Sequence, residues 1–224
     1  MRLVLYSGGQ LRSNHKLHQK VVELARQKHG KKPLTMTYIS FCSENSSIFF
    51  YRAKRRFSAN GVQNFFCLNV DNSPSSADIK TAFKSDIIYL AGGNTFYYLK
   101  HLRESGVLPK LKAFAEKGGV IAGLSAGGLI MSPTVALAAD EGLVPDENEV
   151  GMKNFKSLGL FNFEFSPHYE GGPREIKAHL AYSKKTRFPI YAVEDGSGIV
   201  IDGNEIIVYG NATIFNRGTQ MIFE

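Results

Sequence analysis

The chain has 224 residues, 43% hydrophobic and 21% charged, an ordinary globular composition long enough to bury one sizeable core. That balance excludes a disordered chain, and the longest apolar run, Leu34–Phe41, carries Thr35, Thr37 and Ser40 and is too short to span a bilayer. The net charge of +7 is uneven: residues 1–60 hold 12 Lys/Arg against 2 Asp/Glu, residues 61–150 hold 7 against 10, and the rest 8 against 8.

The basic excess sits mostly on Lys16, Lys20, Arg26, Lys28, Lys31, Lys32, Arg52, Lys54, Arg55 and Arg56. It falls in two segments separated by a strand, with no stacking aromatics interleaved. Such an excess could bind nucleic acid or an anionic surface, but the plainer reading is two solvated helix faces, and no nucleic-acid or membrane partner is expected. Cys42 and Cys67 form no C-x-x-C, and no paired histidine spacing accompanies them. A disulfide framework and a structural zinc site are therefore not expected, and a cytoplasmic location is. The stretch Leu3-Val4-Leu5-Tyr6 is too short for a signal h-region, so no cleaved leader is expected.

Strands and helices alternate along the chain. Leu3–Ser7 reads as a strand and Asn14–His29 as a helix with apolar Leu17, Val21, Val22, Leu24 and Ala25, ended by Gly30. A strand at Leu34–Phe41, a helix at Ser47–Ala59, a strand at Asn64–Val70 and a short helix near Ala77–Lys84 follow. Asp86–Ala91 is a fourth strand, running into Gly92-Gly93-Asn94; helices at Thr95–Glu104 and Leu108–Glu116 lead to a fifth strand, Val120–Leu124. That strand is almost wholly apolar, which predicts a central, doubly covered position.

A short helix is expected through Met131, then an acidic loop from Asp140 to Glu149. Leu160–Phe165 alternates as a strand, Arg174–Lys184 as a helix and Pro189–Val193 as a strand. Two hairpins close the pattern: Gly198–Ile201 with Glu205–Tyr209, and Thr213–Asn216 with Gln220–Phe223. The predicted architecture is α/β, a mostly parallel sheet with helices on both faces and antiparallel hairpins near the C-terminus, in one domain over residues 1–224.

The segment Gly123-Leu124-Ser125-Ala126-Gly127-Gly128 matches G-x-S-x-G between an apolar strand and a helix. A serine on so sharp a turn is pushed out of the sheet, small neighbours let backbone approach, and the Ala126 N–H can face an oxyanion. The bland alternative is a glycine-rich turn with an incidental serine.

A serine nucleophile needs a base. His15, His18, His29, His101 and His179 all lie in or beside helices and read as surface or part-buried residues. His168 follows a strand through Ser166-Pro167, at the kind of strand end where sites in open α/β sheets gather. An orienting acid is offered by Glu194 and Asp195 after Tyr191-Ala192-Val193, and spacing does not choose between them. The order Ser, His, acid disfavours an ordinary α/β-hydrolase, in which the acid precedes the histidine. Gly92-Gly93-Asn94-Thr95 forms a second glycine-rich junction able to donate another oxyanion N–H. No phosphate loop and no dinucleotide fingerprint is present. Ser7-Gly8-Gly9 reads only as a turn.

Together, Leu3–Ser7, Leu90-Ala91-Gly92-Gly93-Asn94-Thr95, the Ser125 elbow, Ser166-Pro167-His168 and Val193-Glu194-Asp195-Gly196 resemble the aspartyl dipeptidase (peptidase E) family, which includes cyanophycinases. The resemblance implies a class I glutaminase-like fold and a serine exopeptidase forming an acyl-enzyme on short peptides that begin with Asp. Ser125 is then nucleophile and His168 base, with Gly93 and Ala126 as oxyanion donors. Asp195 takes the acid position, usually glutamate in the family's dipeptidases, with Glu194 in reserve. Arg174 matches a residue associated with the substrate's aspartyl side chain, and Asp140 one near the substrate amine. An Arg fork suits a carboxylate, and an acid suits an ammonium.

No cofactor or metal is implied, and the partner is a small peptide acted on by a monomer or homodimer. Competing readings are a cyanophycinase-like or other amide hydrolase, or a catalytically idle binding protein of the same fold. A glutaminase is disfavoured because that relative uses Cys where Ser125 stands.

Overall fold

A computed structural model of the chain describes residues 1–8, 12–41, 43–143 and 146–223, the side chains of 43–46 excepted; Gly9 and Cys42 lie outside the described residues. The elements in chain order are β1 (Arg2–Tyr6), α1 (His15–His29), β2 (Thr35–Ser40), α2 (Ser43–Ser58), β3 (Asn64–Asn69), α3 (Ser76–Ala82), β4 (Ile87–Leu90), α4 (Thr95–Glu104), α5 (Val107–Glu116), β5 (Val120–Leu124) and α6 (Ala126–Met131). Then come β6 (Glu164–Ser166), α7 (Pro173–Ser183), β7 (Ile190–Val193), β8 (Gly198–Asp202), β9 (Glu205–Tyr209), β10 (Ala212–Asn216) and β11 (Thr219–Phe223).

Seven strands form the main sheet in the order β3-β2-β4-β5-β1-β8-β9. The first five run parallel, and β8 and β9 close the edge as an antiparallel hairpin. The alternating side chains explain why both faces are covered. Val4, Tyr6, Met36, Tyr38, Ile87 and Tyr89 pack with Leu17, Val21, Ala53 and Phe57 of α1 and α2. Leu3, Leu5, Ile39, Ile88, Leu90 and Ile121 pack with residues of α3 to α6. As predicted, β5 is central, with β4 and β1 as neighbours.

The second hairpin does not join this sheet. β10 and β11 pair antiparallel and attach to β7, which runs parallel to β6, giving a four-stranded sheet β11-β10-β7-β6. The strand expected at Leu160–Phe165 is also shorter and later, at Glu164–Ser166. Its first half is taken by another task. The N–H groups of Leu158, Gly159 and Leu160 donate to the carbonyls of Ile130, Ser132 and Met131 at 3.0–3.1 Å. Those carbonyls at the end of α6 have no helical partner, and the passing chain satisfies them.

Two of the histidines expected to be surface or part-buried residues are buried. His18 is 4% exposed, its Nδ1 paired with the Tyr6 hydroxyl at 3.0 Å. Burial, with the Arg56 charge adding, pushes its pKa down to about 4. His179 is wholly buried beneath Phe215 and Tyr169. Among the described residues no helix is long and apolar enough to cross a membrane.

Candidate active site

One residue separates β5 from α6, and that residue is Ser125. Turning the chain in so short a space forces it to φ 51°, ψ −113°, a region that side-chain-bearing residues seldom occupy. The backbone is pinned on both sides. Ser125 N donates to Tyr6 O at 2.9 Å, and its carbonyl accepts from Gly128 N and Leu129 N at 2.8 and 3.0 Å. The flanking glycines are required by contact: a Cβ on Gly123 lies 2.5 Å from the Gly127 carbonyl, and one on Gly127 lies 2.5 Å from Leu90 O. The serine side chain caps nothing in α6 and is free to face outward.

His168 comes from the other sheet. It follows β6 through Pro167 and also sits in the left-handed region, at φ 60°. Its Nε2 lies 2.8 Å from Ser125 Oγ and its Nδ1 2.7 Å from Asp195 Oδ1. The carboxylate accepts only from an Nδ1–H, so Nε2 carries the lone pair facing the serine hydroxyl. Asp195 stands two residues beyond β7. Neighbouring Glu194 turns away, its Oε2 accepting from Asn211 Nδ2 at 2.9 Å. The site is open to solvent, with the side chains of His168 and Asp195 42% and 51% exposed.

Gly93, at φ 137°, follows β4 at the carboxyl end of the parallel strands, and a Cβ there meets the Phe41 ring at 2.4 Å. The N–H groups of Gly93 and Ala126 donate no hydrogen bond among the described residues. The start of α4 is held by the acidic loop, with Thr95 N donating to Asp146 Oδ2 and Asn94 Nδ2 to Glu147 O, both at 2.8 Å.

Arg174 is exposed in the first turn of α7 and makes no ion pair or hydrogen bond among the described residues. Asp140 caps the tight turn after Ala136–Ala139, accepting from Gly142 N at 3.2 Å. That turn leans on α7, since a Cβ on Gly142 comes within 2.8 Å of Ala178 Cβ. Ala178 lies one turn beyond Arg174 on the same helix face, so Asp140 and Arg174 border one stretch of α7. The structure thus brings Ser125, His168 and Asp195 into contact, sets Gly93 and Ala126 at the carboxyl ends of the neighbouring strands β4 and β5, leaves Glu194 apart, and ranges Arg174 and Asp140 along α7.

The fold and the matches to known proteins define the class: the protein is a serine-type peptidase. It belongs to peptidase family S51, whose family model matches residues 3–209. Peptidase E of Citrobacter koseri is 25% identical over 99% of this chain and 96% of its own length. An uncharacterised peptidase of Listeria monocytogenes is 31% identical over 55% of this chain, and the chain spans 60% of that relative's length. Among solved structures, a Listeria monocytogenes EGD-e protein described as a candidate peptidase E superposes with a TM-score of 0.67 at 25% identity, covering 92% of this chain and 96% of its own. A peptidase from an acI-B1 actinobacterium shares the fold, with a TM-score of 0.74 at 16% identity over 99% of this chain and 93% of its own.

Proposed function

We propose that the protein is an exopeptidase acting on dipeptides that begin with aspartate, with Ser125 as nucleophile, His168 as base and Asp195 as the orienting acid. The observation carrying this reading is the unbroken run of contacts from Ser125 Oγ through the His168 ring to Asp195 Oδ1, at 2.8 and 2.7 Å. Such a run allows proton transfer without rearrangement.

Ser125 Oγ attacks the peptide carbonyl while His168 Nε2 takes its proton. The Gly93 and Ala126 N–H groups stabilise the oxyanion, a role supported by their lack of other acceptors among the described residues. Collapse breaks the C–N bond, and the proton passes from His168 to the departing amine, leaving an aspartyl ester on Ser125. A water deprotonated by His168 then attacks the ester, and Ser125 regains its proton. The net reaction consumes one water and releases two amino acids.

Substrate choice rests on Arg174 and Asp140. The Arg174 guanidinium, without a partner among the described residues and beside the His168 loop, suits bidentate pairing with the substrate side-chain carboxylate, and Asp140 suits the free ammonium. The reaction is assigned to the cytoplasm, in keeping with two lone cysteines. The test is kcat/KM on Asp-Leu, Asn-Leu, Leu-Leu and N-blocked Asp-Leu. Asp-Leu should lead by on the order of 100-fold or more, since a site built around a charged partner penalises its absence. Equal values for Asp-Leu and Leu-Leu would remove the aspartyl assignment and leave the serine peptidase standing.

A further inference from the structure

The turn after β1, Ser7-Gly8, carried little information as sequence, yet it lies directly beneath the site. Tyr6 is in register with Leu124, so Ser7 and Ser125 leave the sheet side by side. Ser7 is wholly buried, and its hydroxyl is fully engaged. It accepts from the His168 backbone N–H at 2.7 Å and lies 2.7 Å from Val193 O and 3.3 Å from Asp195 Oδ1. A hydroxyl has one proton, and the shorter contact takes it, so Ser7 donates to Val193 O at the end of β7.

Gly8 completes the arrangement. A Cβ on it falls 2.2 Å from Asp195 Oδ1 and 2.3 and 2.4 Å from His168 Cε1 and Nδ1. The His168–Asp195 hydrogen bond therefore passes over a bare Cα, in space any side chain would occupy. The Gly8 carbonyl also accepts from Gly196 N at 3.2 Å, fixing the turn that carries Asp195.

We propose that Ser7 is a positioning residue for the His168–Asp195 pair, joining the strand that bears the nucleophile's neighbour to the two loops that bear base and acid, with Gly8 as the clearance over which that pair is set. The inference rests on the reading of Ser125, His168 and Asp195 given above. His168 sits at φ 60°, and such a backbone persists only where its surroundings hold it. Ser7 Oγ is the acceptor for its N–H. Without it, the loop keeps its covalent path and loses the contact that sets the ring's height over Ser125.

The test compares kcat and KM for Asp-Leu in the full chain with Ser7→Ala, alongside the low-field Nδ1–H resonance of His168, assigned by its loss in Asp195→Asn. Ser7→Ala should lower kcat by about 10- to 100-fold with KM little changed, the loss associated with one such hydrogen bond. It should also shift or broaden the resonance. Normal kcat with an unmoved resonance would overturn the proposal. Should Ser7→Ala fold poorly, Ser7→Thr and Ser7→Val form a pair of matched bulk differing only in the hydroxyl. A Thr variant at least tenfold faster per folded molecule supports the role, and equal rates overturn it. Ser125→Ala is the control for the underlying reading. If it retains turnover, the nucleophile assignment fails, while the resonance still reports whether Ser7 holds His168 to Asp195.

Discussion

Two serine–histidine pairs lie near one another and differ little in distance. Ser125 Oγ is 2.8 Å from His168 Nε2, and Ser166 Oγ is 2.9 Å from His179 Nε2. In both, Nδ1 faces an oxygen that fixes the same tautomer: Asp195 Oδ1 at 2.7 Å for His168, and the Glu175 carbonyl at 2.9 Å for His179. The contrast is in what surrounds them. His168 is open to solvent and backed by a carboxylate, which in the proposed mechanism would stabilise an imidazolium. His179 is sealed under Phe215, backed by a neutral carbonyl, and its pKa is pushed below the ordinary value chiefly by burial. Ser125 is thrust out by a strained turn, whereas Ser166 ends β6 in an ordinary strand. A Ser–His contact alone marks no active site; on the proposed reading, access, an acid and oxyanion donors are what would separate a reactive pair from a structural one.

The largest contrast should come from substituting the two serines in turn. Ser125→Ala should reduce kcat by on the order of 10⁶-fold, as removal of a serine nucleophile does elsewhere. Ser166→Ala should leave kcat within a few-fold. Comparable losses in both would collapse the distinction. The acid separates the pairs next. Asp195→Asn should cost on the order of 10⁴ in kcat with folding intact, because the amide favours the wrong tautomer. Glu194→Gln should have little effect, and the reverse ranking would transfer the role to Glu194. Arg174→Ala should then slow Asp-Leu cleavage by about 10- to 100-fold with a smaller change for Leu-Leu, and Arg174→Lys should recover part of it.

Much of this was legible because it is local. The Gly123–Gly128 elbow, the apolar β5 and the strand-to-helix junction at Gly92–Asn94 are written in adjacent residues whose spacing has mechanical meaning. The remainder depends on contacts far apart in the chain. Ser7 meets His168 and Val193 across 161 and 186 residues, so nothing near it in sequence marks it out. Glu194 and Asp195 share one turn, and the former is drawn off by Asn211, 17 residues away. His179 stands between Ala178 and Leu180 in a helix, where sequence does not say which face is covered. The second hairpin announced its own pairing and not the sheet it would join, because that is settled by β7 offering a free edge.

The smallest effects fall on stability and sharpen the structural side of the contrast. Ser166→Ala strips the buried His179 Nε2 of its donor and should cost about 1–3 kcal/mol in denaturant unfolding. Acid should weaken the fold through the buried histidines. With a folded pKa of about 4 and an unfolded value near 6.5, His18 binds more protons when unfolded, so its stabilisation is present above about pH 6.5 and fades as pH falls toward 4. It accounts for about 2 kcal/mol of loss between pH 7 and 5. His179, also depressed, adds in the same direction. In His18→Phe, unfolding free energies at the two pH values should draw closer together; an unchanged gap would place the acid sensitivity elsewhere.

The central claim is that one of two similar serines reacts. It is tested most directly by incubating the full chain with a fluorophosphonate serine reagent and locating the adduct by intact mass and peptide mapping. The account predicts one adduct per chain, on Ser125, absent from Ser125→Ala, slowed in Asp195→Asn and never on Ser166. An adduct on another serine that abolishes peptide cleavage, with Ser125 unmodified, would contradict it.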